Sequence, residues 1–439
     1  MRTRLFPPRM KQLSARRSAT IAVLDVGTSK IACLIARLSP VGGDGPSARG
    51  RTHRARVLGI GHQRSRGVKA GQIVDMEEAE AAIRRTVDAA ERMARTQVDS
   101  VIITASGGRL ASQHFAAKTR IDGAAVAASD VHRVLEASAT HVTERGRVVL
   151  HSLPTGFSLD GACGIREPAG MVGAELGVDL HVASVDQASM RNLLVAIERA
   201  HLSIEAAAAA PYVAGLAVLE ADEAELGAIV IDMGAGGASV AVFSGGAVVH
   251  TDAVTLGGNH VTMDIARGLD CRLADAERLK TLYGAAIASP SDERETVAFD
   301  HVGESGEHSA SAPKSHLVRI IRPRVEETLE FLRDRLAASG YPAHAGRRIV
   351  LTGGACLLTG LPEASRRILG GQVRVGRPAG IDGLPESARS PAFAAAVGLL
   401  VYPQFAGREY FEPRREQETR GTGTGGYMSR VGQWLKDSF

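Results

Sequence analysis

Two stretches of the sequence place a carboxylate at the end of an apolar run and follow it with a glycine turn. Asp25-Val-Gly27-Thr28-Ser29-Lys30 ends the run that starts at Ile21, and Asp232-Met-Gly234-Ala-Gly236-Gly237 ends the run 226–232, about 200 residues later. Glycine removes the Cβ and lets successive N–H groups cradle phosphate oxygens. A strand-end aspartate can hold the waters of a Mg²⁺ ion, and Thr28, Ser29 and Lys30 add donors. Two such turns facing one another would clamp a triphosphate, although either alone is also common hairpin punctuation. Glu277 and Lys280, three apart in DAERLKTLYG, share a helical face. They could meet a ribose there or simply pair with each other in solvent. Gly353-Gly354, after the apolar run 348–351, lets a purine ring lie against backbone.

These turns need a framework, and the chain is long enough to build one. Its 439 residues leave room for about two to four structural units. With 44% hydrophobic, 23% charged and only 4% aromatic residues, plus 49 glycines, it reads as an ordinary folded chain rich in tight turns. A formal charge of +4 is too small to argue for nucleic acid. Cys33, Cys163, Cys271 and Cys356 form no C-x-x-C pair, so neither zinc nor a disulfide framework is suggested, and a reducing cytosol fits. The most apolar stretch, 206–219, contains Pro211 and Gly215 and falls short of the roughly 20 residues that cross a bilayer. Residues 1–19 carry six Lys or Arg and no acid, lack the apolar block of a secretory signal, and read as a disordered basic tail.

Between the motifs, the pattern predicts a hairpin from runs 21–25 and 31–38, a solvated loop over 41–56 and a strand at 57–61. Asp75 and Glu78 have capping-box spacing ahead of a helix that repeats Ile83, Val87, Ala90 and Ala94 on one face. Short strands broken by Gly and Pro fill 98–180, with a helix at 131–139, as in an inserted α+β unit. A helix at 187–200, an Ala-rich helix at 205–219 and the strand 226–232 then restore an α/β rhythm. Edge strands and loops are expected over 287–315, and a long helix over 317–336, interrupted at Pro323. Residues 407–420 are densely charged and 421–426 are GTGTGG, a composition suited to a flexible linker. Beyond them Met428, Val431, Trp434, Leu435 and Phe439 fall at offsets 0, 3, 6, 7 and 11, one apolar stripe. A helix of roughly 20 Å is too short to span a bilayer but suits its interface, the alternative being a helix docked back on its own body.

The order of these segments resembles the actin/Hsp70/sugar-kinase ATPase superfamily and, within it, the FtsA family of bacterial cell-division proteins. DVGTSK (25–30) is similar to the family's first phosphate loop, SRGVKAGQIVD (65–75) to the strand and turn after it, and GIREPAGMVGAEL (164–176) to part of its inserted subdomain. LGAIVIDMGAGGASVAVFSGGAVVHT (226–251) resembles the second phosphate loop and hairpin, DAERLK (275–280) the ribose-side helix, IVLTGGACLLTGL (349–361) the adenosine motif and AAAVGLL (394–400) the closing helix.

The resemblance implies an α/β, actin-like, two-lobed ATPase fold with a small α+β subdomain inserted in the first lobe. The expected division is a basic tail at 1–19, the first lobe at 20–97 and 181–220, the insertion at 98–180, the second lobe and closing helix at 221–402, a linker at 403–426 and a membrane-targeting helix at 427–439. It further implies ATP bound by Asp25, Gly27, Thr28, Ser29, Lys30, Asp232, Gly234, Gly236, Gly237, Gly353 and Gly354, with Glu277 and Lys280 at the ribose. Asp25 and Asp232 would hold Mg²⁺ through water. Gly237 stands where a threonine hydroxyl is usual and Ser239 where a carboxylate is common, so at most slow hydrolysis is expected.

The implied role is a polymerising adaptor that ties FtsZ to the cytoplasmic face of the inner membrane at the septum. Its partners would be the FtsZ C-terminal tail, further copies of itself, other divisome proteins at the insertion, and membrane lipids, with no nucleic acid. Arg319, Arg322 and Arg324, beside Ile320, Ile321 and Val325, would receive the FtsZ tail unless they are merely a paired surface helix. Three rivals share the fold. A small-molecule kinase lacks its base and substrate cluster here, an Hsp70-type chaperone would need more than the 37 residues after Tyr402, and a pilus-assembly relative would not need the C-terminal stripe.

Overall fold

The protein is described by a computed structural model that covers residues 7–14, 16–41, 50–107, 109–123, 125–139, 146–302, 310–343 and 347–411. The chain opens with β1 (Ala19–Val26), β2 (Lys30–Pro40) and β3 (His53–Arg64), then the short β4 (Val68–Lys69) and β5 (Gln72–Ile73). Next come α1 (Met76–Ala94) and β6 (Ser100–Ala105). Asp75 caps α1 by accepting from the Glu77 and Glu78 amides, and Ile83, Val87 and Ala90 of the apolar face are buried. The next elements are β7 (Ala111–Arg120), α2 (Ala128–Ala139), β8 (Arg147–Leu159), β9 (Ala162–Ile165) and β10 (Glu175–Asp186). They form a separate sheet ordered β7-β10-β8-β9 with its own small core of Val126, Val134, Leu135, Leu159, Leu176 and Val178.

The chain returns through α3 (Gln187–Arg199), β11 (Ser203–Ala209), α4 (Ala210–Val218) and α5 (Ala221–Leu226). Here one expectation is corrected. The Ala-rich run 205–209 is not helical but pairs in parallel with β6. Proline is best accommodated in the first turn of a helix, and α4 starts at Ala210, one residue before Pro211, leaving Ala209 extended at φ −63° and ψ 126°. Pairing with the buried β6 overrides the helix preference of alanine.

The second lobe repeats the plan. It holds β12 (Ala228–Met233), β13 (Ala238–Ser244), β14 (Ala247–Val254), α6 (Gly258–Gly268), α7 (Leu273–Tyr283), β15 (Thr296–Phe299), β16 (Ala310–Pro313) and α8 (Lys314–Ala338). After these come β17 (Arg348–Thr352), α9 (Leu361–Leu369), β18 (Gln372–Val375) and α10 (Ala394–Val401). The two main sheets, β11-β6-β1-β2-β3 and β14-β13-β12-β17-β18, have matching order. In each, an antiparallel three-strand meander is joined at its first strand by two parallel strands. Asp25 and Asp232 occupy equivalent places on β1 and β12, facing Ala32 and Ser239 on the next strand. The expected interruption at Pro323 does not occur, because α8 runs through it. Pro323 is exposed, so the carbonyl it frees can meet water.

α4 and α10 cross so closely that a Cβ on Gly398 would overlap the Val213 carbonyl. Residues assigned from sequence to the tail and the linker are in part packed: Met10 and Leu13 lie against the first-lobe core, and residues 402–408 form short 3₁₀ turns. Glu409 is buried. Its Oε1 lies 2.8 Å from Nδ1 of the buried His151, whose Nε2 accepts from the Ala209 amide at 2.8 Å, and the Tyr410 amide donates to Ser152 O at 2.8 Å. The residues from 412 onward lie outside the described chain.

The inserted sheet meets β14 through stacked imidazoles. His114 of β7 and His181 of β10 stack at 5.4 Å, and His250 of β14 stacks on His114 at 6.3 Å and on Tyr341 at 5.4 Å. Burial, reinforced by neighbouring His114, pulls His181 down to about 3; burial also pulls His250 down to about 4, against the attraction of Asp252. Both folded values lie below the unfolded value of 6.5, so as pH falls through that value the unfolded chain takes up protons that the folded chain refuses. Stability is therefore fully present above about pH 6.5 and is lost toward pH 4. Both ring nitrogens of His250 are buried without a hydrogen-bond partner. His250→Phe keeps the stack and removes one titrating ring, so the loss of unfolding free energy between pH 8 and pH 5 should shrink by about 1–2 kcal/mol. Urea titrations at the two pH values measure it, and an unchanged loss would contradict the assignment.

Candidate functional site

The two glycine turns are built alike. In the first, the Gly27 amide donates to Lys30 O at 3.0 Å; in the second, the Gly234 amide donates to Gly237 O at 2.9 Å. The turns also meet. A Cβ on Gly236 would overlap Thr28 Oγ1 and lie 2.8 Å from Ala70 Cα, so only glycine allows this approach of the lobes. Thr28 Oγ1 is held by the Gly71 amide at 2.8 Å. Gly237 is equally constrained: a Cβ there would stand 2.6 Å from Val254 O, while Gly257 packs against the Gly237 amide from the other side. In this arrangement a threonine at 237 has no room.

Behind the turns lies a charge cluster shared by both lobes. Asp25 is buried and accepts from Thr104 Oγ1 at 2.6 Å. Burial pushes its carboxyl up, opposed by the Thr104 bond and the Lys30 ammonium. Asp232 is pushed up to about 7 by burial and by the charge of Asp25, with Lys30 opposing. Lys30 is pulled down to about 8 by burial, against the attraction of both aspartates. Its Nζ donates to Ala392 O at 2.6 Å and sits 3.3 Å from the centre of the Phe393 ring. One ammonium thus faces two carboxylates where each charge is poorly solvated, an arrangement short of positive charge. Asp25 and Asp232 are the carboxylates that could hold the waters of a divalent cation. Among the described residues, no group of three or more His, Cys, Asp or Glu could ligate one directly.

The remaining expected residues border this cleft. Gly353 adopts φ +83°, and a Cβ there would overlap Asp232 Oδ1 and lie 2.5 Å from Met233 O. Gly354 is exposed, and a Cβ on it would come no closer than 3.6 Å, to Ala392 Cβ. On α7, Lys280 Nζ binds Glu277 Oε2 at 2.6 Å, Thr262 Oγ1 at 2.8 Å and Gly258 O at 3.2 Å, and Thr262 Oγ1 donates to Glu277 at 2.6 Å. Burial raises the Glu277 carboxyl, but the bonds from Lys280 and Thr262 outweigh it and hold the group below its usual range. The pair expected at the ribose is therefore preassembled.

The arginines on α8 are less uniform than their sequence suggests. Arg319 and Arg322 are exposed, Arg322 pairing with Glu326 at 2.8 Å, whereas Arg324 is committed to Asp264 at 2.6 Å and to Glu327. Ile321 and Val325 are buried in the lobe core, and Ile320 covers Gly268. Met428, Val431, Trp434, Leu435 and Phe439 lie outside the described residues. No helix among the described residues is long and apolar enough to cross a membrane.

Thr104, the Ala392 carbonyl, Phe393 and Gly257 complete the cleft and were not singled out from sequence. Thr104 and Ala392 stand 79 and 362 positions from their partners, beyond any spacing pattern. Gly257 did carry a signal, since LGGNH sets a glycine pair just before an apolar helix. Gly353→Ala should destabilise the protein by about 1–3 kcal/mol, because it adds a strained backbone to a collision with Asp232, while Gly354→Ala should change stability by less than about 0.5 kcal/mol. Denaturant titration of both variants measures the contrast, and equal stabilities would contradict the geometry.

Sequence comparison gives this architecture a family. The family described as cell division protein FtsA matches residues 229–398, and the SHS2 domain inserted in FTSA matches residues 107–184. The chain is 49% identical over 433 residues to the cell division protein FtsA of Agrobacterium fabrum, covering 98% of each. It is 32% identical to that of Escherichia coli strain K12 over 426 residues, covering 95% of this chain and 97% of the other. A chain from a PilM-PilN type IV pilus biogenesis complex shares the fold with a TM-score of 0.59 at 18% identity, over 88% of this chain and 99% of that one. The two lobes are thus an actin-like fold carrying an SHS2 insertion in the first, and the chain belongs to the FtsA family of cell division proteins.

Proposed function

We propose that the protein is an ATP-binding, polymerising adaptor of cell division that holds FtsZ at the cytoplasmic face of the inner membrane, at the septum. The observation that carries the nucleotide part is the meeting of two like-built turns, Gly27 to Lys30 and Gly234 to Gly237, over Asp25, Asp232 and Lys30. The glycines leave room for phosphate oxygens to approach the turn amides other than those of Gly27 and Gly234, which bond within the turns. Mg²⁺ bound through water at Asp25 and Asp232 would supply the missing positive charge and neutralise the phosphates. Gly353 and Gly354 would carry the adenine, with Glu277 and Lys280 at the ribose. Lys30 would turn from the Ala392 carbonyl to a phosphate.

Turnover should be slow. Gly237 brings no hydroxyl, and its surroundings leave no space for one. Ser239 is buried opposite Asp232 on β13, where it cannot act as a water-orienting carboxylate. The nucleotide is thus read as a structural ligand that closes the lobes for polymerisation rather than as a substrate. Labelled ATP should bind the parent and bind Gly354→Arg at least tenfold more weakly, since that exposed position borders the cleft while tolerating substitution. Phosphate release should stay well below the roughly 10 s⁻¹ median of metabolic enzymes. Undiminished binding by Gly354→Arg would remove the adenine assignment, and rapid release would remove the structural role.

For FtsZ, α8 remains the proposed contact, narrowed to Arg319 and Arg322, because Arg324 is spent on Asp264 and the neighbouring apolar residues Ile321 and Val325 face inward. A short acidic and apolar tail would find cations there. Arg319→Glu with Arg322→Glu should weaken an FtsZ tail peptide at least tenfold and leave ATP binding intact, as read by fluorescence anisotropy. Equal peptide affinity would place the contact elsewhere. The C-terminal stripe of residues 427–439 is the proposed membrane helix. Its five apolar side chains offer a gross gain on the order of 10 kcal/mol, reduced by the cost of ordering a short helix, so single copies should bind reversibly and filaments firmly.

A further inference from the structure

The two ends of the described chain lie side by side. The Arg9 guanidinium stacks 4.2 Å over the Phe411 ring, and Gln12 fills the space above Gly407, where a Cβ would come within 2.8 Å of its amide. His53 touches both ends: its amide donates to Gln404 Oε1 at 2.9 Å, and its ring Nε2 is hydrogen-bonded to Arg17 O at 3.2 Å. The buried Glu409 and His151 pair fixes the root of the C-terminal segment, and Met10 and Leu13 fix the N-terminal one. Residue 411, beyond which the chain runs on to its apolar stripe, is therefore held against a segment rich in cations.

Several cations in and around this segment have no carboxylate partner among the described residues. Lys11, Arg16 and Arg17 are exposed. Elsewhere, on the sheet that carries His53, Arg37 of β2 and Arg56 of β3 are exposed and stand directly opposite one another. Arg54, two residues along, has Asp382 at 3.8 Å. No carboxylate among the described residues pairs with Lys11, Arg16, Arg17, Arg37 or Arg56. Like charges placed opposite each other on a sheet repel, a cost that no carboxylate among the described residues offsets.

We propose that these exposed cations dock on anionic phospholipid headgroups and form a second, electrostatic membrane contact on the body that ends, among the described residues, at 411. The inference rests on reading residues 427–439 as a membrane helix, and it supplies what that helix lacks. Within it only Arg430 and Lys436 are cationic, and Asp437 opposes them. A single weak anchor gives marginal, reversible binding, whereas an apolar anchor combined with a polybasic patch on one body gives stable attachment, because the second contact forms at high effective concentration. The body would then meet the membrane in one orientation instead of swinging on its tail.

Vesicle flotation with the full chain tests this, comparing phosphatidylcholine vesicles with mixed phosphatidylcholine and phosphatidylglycerol vesicles. Lys11→Gln, Arg16→Gln and Arg17→Gln together should weaken binding to the anionic vesicles by roughly fivefold per cation, on the order of a hundredfold in all, and leave binding to neutral vesicles unchanged. Added salt should reproduce the loss in the parent. Arg37→Gln with Arg56→Gln is the second variant, at positions where the chain is firmly folded, and should act in the same direction. If both variants bound the anionic vesicles like the parent, the proposal would be overturned. If they lost duplex DNA binding while vesicle binding held, the cations would serve nucleic acid and the proposal would equally fall. A chain stopped after Gly426 separates the two readings. Should it bind neutral vesicles as well as the full chain does, the tail helix is wrong, while the difference between stopped chains with and without the three changes still decides the role of the exposed cations on anionic vesicles.

Discussion

The burial of one lysine and two aspartates drawn from opposite lobes, their charges acting on one another, is the constraint on which the cleft depends. Lys30 starts β2 in the first lobe, Asp25 ends β1 beside it, and Asp232 ends β12 in the second. Burial works against all three charges; the Thr104 bond to Asp25 and the attraction between Lys30 and the aspartates oppose it, while the charge of Asp25 adds to it at Asp232. The pairing is incomplete, since one positive charge faces two negative ones. The cleft is therefore held in a state that added positive charge would relieve.

The rest of the architecture serves that meeting. Two sheets of matching order bring equivalent strand ends face to face, and glycines at 236, 257 and 353 remove the side chains that would keep them apart. α4 and α10 cross at Gly398 between the lobes with no space for a side chain, so they act as a stiff joint. The inserted sheet is coupled to both sides. It reaches the second lobe through stacked imidazoles and the first through His151, which also holds Glu409 at the root of the C-terminal segment. A change in how the lobes close thus has a physical route to the insertion and to the chain ends.

Much of this was legible from residues alone. The hairpin 21–38, the cap at Asp75 and the strand ending in Asp232 follow local rules of periodicity and capping, and each formed as those rules require. The alanines at 206–209 misled because their strand state comes from a neighbour about 100 positions away, which composition does not report. Pro323 misled in the opposite direction, since only its exposure shows that the helix tolerates it. In the site, both aspartates and the glycines of the turns were visible as motifs. Thr104, Phe393 and the Ala392 carbonyl were not, because each is placed by the fold rather than by spacing. The imidazole stack escaped for the same reason: His114, His181 and His250 are scattered along the chain and come together only across two sheets.

The central claim is that the two turns receive a triphosphate between the lobes and that Lys30 answers to it. A crystal structure grown with Mg²⁺ and a non-hydrolysable ATP analogue tests this most directly. The account requires phosphate oxygens against the amides of residues 28–30 and 235–237, a hydrated Mg²⁺ between Asp25 and Asp232, and Lys30 Nζ moved from the Ala392 carbonyl to a phosphate. Nucleotide bound elsewhere, or a cleft that admits it with Lys30 still on Ala392, would contradict it.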